Sequence, residues 1–170
     1  MKIALVKDIP KAKLVENFDI ANLNKLWVLA RELSRTCIER DGVGLHAVQV
    51  GVDVDMFVVK VPTLPIDCYF NCSYEPLGDV VKSVEGCLSL DAPMLSLEMA
   101  GPVSRRRFFE VPRYNKVRVT GKKLVLEKGV VTAKDVDETW IELLATVFQH
   151  EIDHGKGVLI SDIGKEIHIW

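Results

Sequence analysis

Leu143, Val147, His150 and His154 follow one another at intervals of four, three and four residues. On a helix of about 3.6 residues per turn that spacing is a single face. Any fold of this chain must therefore hold a helix whose apolar stripe runs into a pair of imidazoles. The two histidines belong to His150-Glu151-Ile152-Asp153-His154, an H-E-x-x-H pattern. Positions i and i+4 point the same way, so both rings can reach one metal ion, with Glu151 beside it as a base for a bound water. Asp135-Val136-Asp137-Glu138 reads as a capping box with Asp135 as N-cap, and Gly155 and Gly157 end the helix. The motif specifies hydrolysis without specifying the bond, and the third ligand carries that information.

Two common ways of completing such a site fail here. In H-E-x-x-H-x-x-G-x-x-H the glycine falls on Gly157, but the last position is Ile160, which cannot bind a metal. Downstream carboxylates are limited to Asp162 and Glu166, neither on a continuation of the helix. The third ligand is expected upstream, and Cys87 is the best-placed candidate, since a thiolate with two imidazoles leaves a fourth position open. Cys37, Cys68 and Cys72 compete. Cys37 extends the apolar face of Leu26, Leu29 and Leu33 and reads as a small buried hydrophobe. Cys68 and Cys72 flank Tyr69 and Phe70 in a strand, which separates them by more than ~12 Å, too far for one ion or a disulfide.

A length of 170 residues predicts one domain with a real core, and 48% apolar residues is an ordinary globular value. A net charge of −2 implies no general affinity for nucleic acid. No apolar run reaches membrane-spanning length. Met1 to Asp8 meets charge too early for a signal peptide, so the four cysteines are expected reduced in a cytoplasm.

The elements read as α+β. A helix is expected from about Asn22 to Glu39 and a strand from Val54 to Val61. Val117-Arg118-Val119 and Leu124-Val125-Leu126 flank Thr120-Gly121-Lys122-Lys123 as a hairpin signal. Ile167 and Ile169 alternate with His168 as a last short strand.

Three ordered segments resemble the signature motifs of the peptide deformylases. Gly42-Val43-Gly44-Leu45-His46-Ala47-Val48-Gln49 is similar to the first, Glu85-Gly86-Cys87-Leu88-Ser89 is identical to the second, and Gln149-His150-Glu151-Ile152-Asp153-His154 matches the third. Val111-Pro112-Arg113 resembles a segment that follows the second motif. The likeness runs from about Leu5 to about Ile163. It implies a fold of antiparallel or mixed β-sheets wrapped around a central helix bearing the metal motif, plus an N-terminal helix, with residues 1–170 as one catalytic domain. It also implies the ligand set Cys87, His150 and His154, holding one divalent ion per chain, with Fe²⁺ native and Zn²⁺, Ni²⁺ or Co²⁺ accepted.

The activity so implied removes the formyl group from the N-terminal formylmethionine of new polypeptides and releases formate. Glu151 then moves the proton, while Gln49 and the Leu88 backbone N–H hold the oxyanion. N-formylmethionyl peptides lie along Val43, Gly44, Glu85 and Gly86 as an added strand. Leu143, Thr146 and Val147, with Val43, line the methionine pocket. The ribosome is a candidate transient partner, in the cytoplasm of a bacterium or a phage-infected one. No membrane or specific nucleic acid is expected.

Three departures from the family pattern stand out. His46 replaces a small residue, and an extended motif would put it on the face opposite Gln49, at the surface. Residues 90–110 are longer than usual and carry Arg105-Arg106-Arg107, read as a solvated face. The chain also stops at Trp170, short of the helix that many bacterial members use for ribosome docking. Two rival readings remain at this stage. A zinc endopeptidase would cut internal peptide bonds and bind metal without Cys87. An inactive relative would bind metal or formyl peptides and need neither Glu151 nor Gln49.

Overall fold

A computed structural model describes residues 9–60, 66–94 and 103–168. The first element is helix α1, Ile20–Glu39. It begins two residues before the expected start, because Asp19 caps it by accepting the Asn22 N–H at 2.8 Å. Leu26, Leu33 and Cys37 of the expected face are buried and Leu23 joins them, while Leu29 is only half-buried against the core.

Strand β1 (Gly44–His46) leads through a 3₁₀ turn, Ala47–Val50, to β2 (Met56–Val59). There follow β3 (Asp67–Pro76), β4 (Val80–Gly86), β5 (Ala92–Met94), β6 (Val103–Arg105), β7 (Phe108–Tyr114), β8 (Lys116–Glu127) and β9 (Val130–Ile141). The chain then forms the metal-motif helix α2 (Glu142–Gly155), a short helix α3 (Ile160–Ile163) and β10 (Lys165–Ile167). One sheet runs β1-β2-β3-β8-β9 and a second β10-β7-β4, while β5 pairs with β6. Every pairing among the described residues is antiparallel.

Helix α2 touches both larger sheets. Its Phe148 is buried in an aromatic cluster with Phe57, Tyr69 and Trp140, at ring separations of 4.9 to 5.8 Å. The other sheet contributes Phe109 and Val111, which pack with Cys87, Leu159 and Ile160. The helix is therefore central and the sheets enclose it, as the resemblance implies.

Three sequence expectations are corrected. Asp135 does not cap α2: residues 135–138 lie in β9, opposite Val119 to Lys122 of β8. Their acidic side chains serve the sheet surface instead, Asp135 with Lys122 and Asp137 with Arg118. Helix α2 starts at Glu142, whose N–H bonds to the Asn115 carbonyl at 2.8 Å, so backbone between β7 and β8 takes the place of a side-chain cap.

Thr120 to Lys123 is not a turn either, because β8 runs through it. Gly121, at φ +157°, sits where the β3–β8 register shifts between Phe70 and Ser73, and a Cβ there would lie 2.5 Å from Cys72 Sγ. This glycine marks a bulge and a close approach. The reversal comes later, at Lys128 and Gly129, both with φ > 0. The Val54–Val61 strand shortens to Met56–Val59. Val61 and Ile169 lie outside the described residues, as do Met1 to Asp8 and residues 95–102 of the longer segment.

Candidate active site and metal centre

Helix α2 delivers His150 and His154 one turn apart, with His154 fully buried and His150 nearly so. Cys87 follows the end of β4, at the start of a turn closed by the Leu90 N–H on the Cys87 carbonyl. Cys87 Sγ lies 3.4 Å from His154 Nε2, which lies 3.0 Å from His150 Nε2. Tetrahedral coordination with metal–sulfur and metal–nitrogen bonds of ~2.3 and ~2.0–2.1 Å puts such atoms about 3.3 to 3.6 Å apart, close to these values.

The outer ring nitrogens settle the tautomers. His154 Nδ1 faces the Val158 carbonyl at 3.2 Å, which can only accept, and His150 Nδ1 faces Glu85 Oε2 at 2.8 Å. Both Nδ1 atoms therefore donate, and both Nε2 lone pairs converge beside the thiol. A cation resolves that convergence, so the donor set fits a bound divalent metal. Among the described residues, these three form the group placed to ligate one.

Glu151 projects from the same turn of helix. It is 3% exposed, and its Oε2 has no hydrogen-bond partner. Burial pushes its carboxyl up to about 7, a rise that the nearby Glu85 charge reinforces and His150 and Arg113 oppose. A carboxylate near neutrality can both take and return a proton. Gly44 makes room for it, since a Cβ on Gly44 would fall 2.8 Å from Glu151 Cδ. Gly44→Ala is therefore expected to displace the carboxylate and cut turnover at least about tenfold, since misplacement by ~1 Å can cost 10²-fold. Steady-state kinetics on the metal-loaded variant checks this.

The residues expected at the site, His154 apart, surround one cavity of about 390 Å³, whose lining includes Val43, Gly44, Gln49, Glu85 to Leu88, Leu143, Thr146, Val147, His150 and Glu151. Leu143 is exposed at its rim, not in the core, and Val147 is buried. The cavity lies between two sheet edges, since among the described residues β1 pairs only with β2 and β4 only with β7. Gln49 is buried, its amide Nε2 bonded to Ser89 Oγ at 3.0 Å and 3.6 Å from Cys87 Sγ.

His46 is a further correction: it is 0% exposed, not on the surface. Strand β1 ends at His46 and the chain turns into the 3₁₀ segment, so the alternation assumed for an extended motif stops there. Glu85 is among the residues lining the cavity, and both oxygens of its carboxylate are engaged, by Arg113 and by His150.

That engagement exposes what sequence reasoning missed. Arg113, buried on β7, donates to both Glu85 oxygens at 2.8 and 3.1 Å and to Asp153 Oδ2 at 2.5 Å. Burial alone would raise the Glu85 carboxyl, yet the hydrogen bonds from His150 and Arg113 outweigh it and hold it below its ordinary value. Glu85 thus stays charged and fixes the His150 ring. The only sequence signal was the Val111-Pro112-Arg113 resemblance and an Asp inside the H-E-x-x-H helix. Nothing local links positions 85, 113 and 153.

The arginine run is not simply solvated. Arg106 donates to the Arg40 and Asp41 carbonyls at the cavity edge, and Arg107 makes two 2.7 Å bonds to Glu166. Glu166 is therefore no metal ligand. Nor is Asp162, which accepts the Leu159 N–H. All four cysteines are free, and burial pushes the Cys37 and Cys72 thiols up to about 12.

The family model described as polypeptide deformylase matches residues 9–168. The peptide deformylase of Helicobacter pylori (strain G27) is 30% identical over 159 residues, covering 89% of this chain and 76% of that protein. The crystal structure of the Thermotoga maritima peptide deformylase is similar at a TM-score of 0.71 and 30% identity, covering 95% of each chain. That of the Synechococcus elongatus enzyme in complex with actinonin is similar at a TM-score of 0.70 and 28% identity, over 96% of this chain and 78% of that one.

Proposed function

This chain belongs to the polypeptide deformylase family, a metal-dependent hydrolase acting on formylated nascent peptides, and we propose the following division of labour among its residues. Cys87, His150 and His154 hold one divalent ion per chain, Fe²⁺ in the native enzyme, with Zn²⁺, Ni²⁺ or Co²⁺ able to replace it. The ion, when bound, polarises a water and brings its pKa from ~15.7 towards ~7. Glu151 takes the proton from the attacking water. Gln49 Nε2 and the Leu88 N–H receive the negative charge that develops on the formyl oxygen. The C–N bond breaks, formate leaves, and Glu151 returns the proton to the freed amine.

The peptide adds between the β1 and β4 edges, with backbone bonds along Val43, Gly44 and Gly86. The methionine side chain enters the cavity against Thr146 and Val147, with Leu143 and Val43 at its mouth. Glu85 orients His150 and does not contact the peptide through its carboxylate. The same proposal includes one catalytic domain and a cytoplasmic location in a bacterium or phage-infected cell, with transient contact to the ribosome as peptides emerge. No described helix is long and apolar enough to cross a membrane.

The observation that carries this reading is the buried Glu151 carboxylate, its Oε2 unpartnered, in a cavity beside the three converging donors. An anaerobic assay with added Fe²⁺ or Ni²⁺ tests it. Formyl-Met-Ala-Ser is expected to release formate, and Met-Ala-Ser and acetyl-Met-Ala-Ser to remain intact. Cleavage of an internal bond, or stoichiometric metal with no formate, would overturn the reading.

A further inference from the structure

We propose that His46 is a positioning residue: its buried ring, anchored on Asp55, sets the 3₁₀ turn that aims the Gln49 amide at the metal centre. Three hydrogen bonds carry the argument. The Val48 N–H donates to His46 Nδ1 at 3.2 Å, and the His46 N–H donates to Gln49 Oε1 at 2.8 Å. This is a reciprocal cap on the turn Ala47–Val50, with histidine in the place usually taken by serine or aspartate.

Because Nδ1 accepts, the ring proton sits on Nε2, which donates to Asp55 Oδ1 at 3.2 Å. The ring has no rotational freedom left. It stacks on Phe57 at 6.0 Å, and a Cβ on Gly155 would lie 3.1 Å from its Nε2 and 2.8 Å from Asp55 Oδ1. The residue directly after His154 therefore packs its bare backbone against the His46–Asp55 pair. One side chain thus ties the turn carrying Gln49, the loop before β2 and the end of the metal helix into a fixed relation.

Gln49 has its carbonyl oxygen taken by the His46 N–H, so its amide nitrogen alone faces Ser89 and the Cys87 sulfur. Fixing the oxygen fixes which end of the amide points at the reacting group. A small residue at position 46 could leave the backbone bond in place, but the Nδ1 cap and the Asp55 anchor would be lost, and the turn could rotate. An oxyanion donor acts only when held in place, so the loss falls on turnover more than on substrate binding.

The inference rests on Gln49 as an oxyanion donor, and Gln49→Ala serves as the reference for that reading. In Co²⁺-loaded protein, kcat, KM, melting temperature and the thiolate-to-cobalt absorption band are measured for four forms. These are wild type, Q49A, His46→Ala and His46→Asn. Asparagine places an oxygen near the Nδ1 position and is a strong cap.

Q49A is expected to lose kcat about 10²–10³-fold. It should also shift the band to longer wavelength, because the sulfur loses its N–H donor. H46A is expected to lose kcat about tenfold or more, with KM within about twofold and a band shift in the same direction. H46N should recover most of both. H46A with wild-type kcat and band overturns the positioning role, whatever its melting temperature. So does an H46N variant that melts like wild type yet shows the H46A defect. If H46A does not fold, H46N and His46→Gln decide it: glutamine can reach Asp55 but does not supply the cap, so H46Q must lose kcat about tenfold or more with the band at longer wavelength, and H46Q with wild-type kcat and band overturns the role. A Q49A variant with wild-type kcat fails the oxyanion reading itself, whatever position 46 does.

Discussion

Glu151→Gln is expected to leave the protein folded and metal-loaded while reducing turnover about 10²–10⁴-fold. The substitution keeps the shape that Gly44 accommodates and removes only the ability to take a proton. Its effect should fall on kcat, because the carboxylate does its work on the attacking water and the leaving amine and not in holding the peptide. Melting temperature should not drop, since Oε2 has no hydrogen bond to lose and a neutral amide is less costly to bury than a carboxylate. Metal analysis beside steady-state kinetics separates the outcomes. Full metal occupancy with turnover within tenfold of wild type would remove Glu151 from the proton-transfer role. Loss of metal would instead mean that the carboxylate belongs to the ligand set.

Arg113→Ala should be the most destabilising single change in the site. It strips the guanidinium from two buried carboxylates, leaving Glu85 with His150 and Asp153 with Tyr74, and breaking a buried ion pair this way costs ~3–5 kcal/mol. The damage reaches the metal through Glu85, whose carboxylate loses the two bonds that fix it against the His150 ring. Loss of an outer partner of a ligating histidine lowers metal affinity about 10–100-fold. Arg113→Lys should recover part of the stability and little of the metal affinity, because an ammonium cannot fork across both Glu85 oxygens while reaching Asp153. Denaturant midpoints of the apo-proteins and metal competition measure the two effects. An Arg113→Ala midpoint equal to wild type would show that the triad is incidental.

The site was readable to different depths. His150, Glu151 and His154 were legible because all three sit within five residues, and helix periodicity converts that spacing into a shared face. Cys87 was a choice among four cysteines until the three ordered motifs singled it out. Gln49 was a loop glutamine on local grounds, and its amide finds Cys87 and Ser89 only through pairing 38 and 40 residues distant. His46 was misplaced because the surface reading assumed an extended strand through a motif that turns into a 3₁₀ segment. Asp135 was misassigned for a related reason. A cap signature and a strand edge rich in acids look alike, and only the twelve-residue pairing of β8 with β9 decides between them.

By itself the order of residues determined the helix face, its two imidazoles and base, and the apolar segments that must be covered. These follow from periods of 3.6 and 2, which are properties of a few neighbouring residues. The tertiary structure alone decided that β4 would bring a thiol to that face and that two sheet edges, unpaired among the described residues, would flank the opening. It also joined Arg113 to Glu85 and Asp153. Contacts across 28 to 67 residues depend on how the sheets close around the helix, and that closure is set by packing of the whole core and not by any local run.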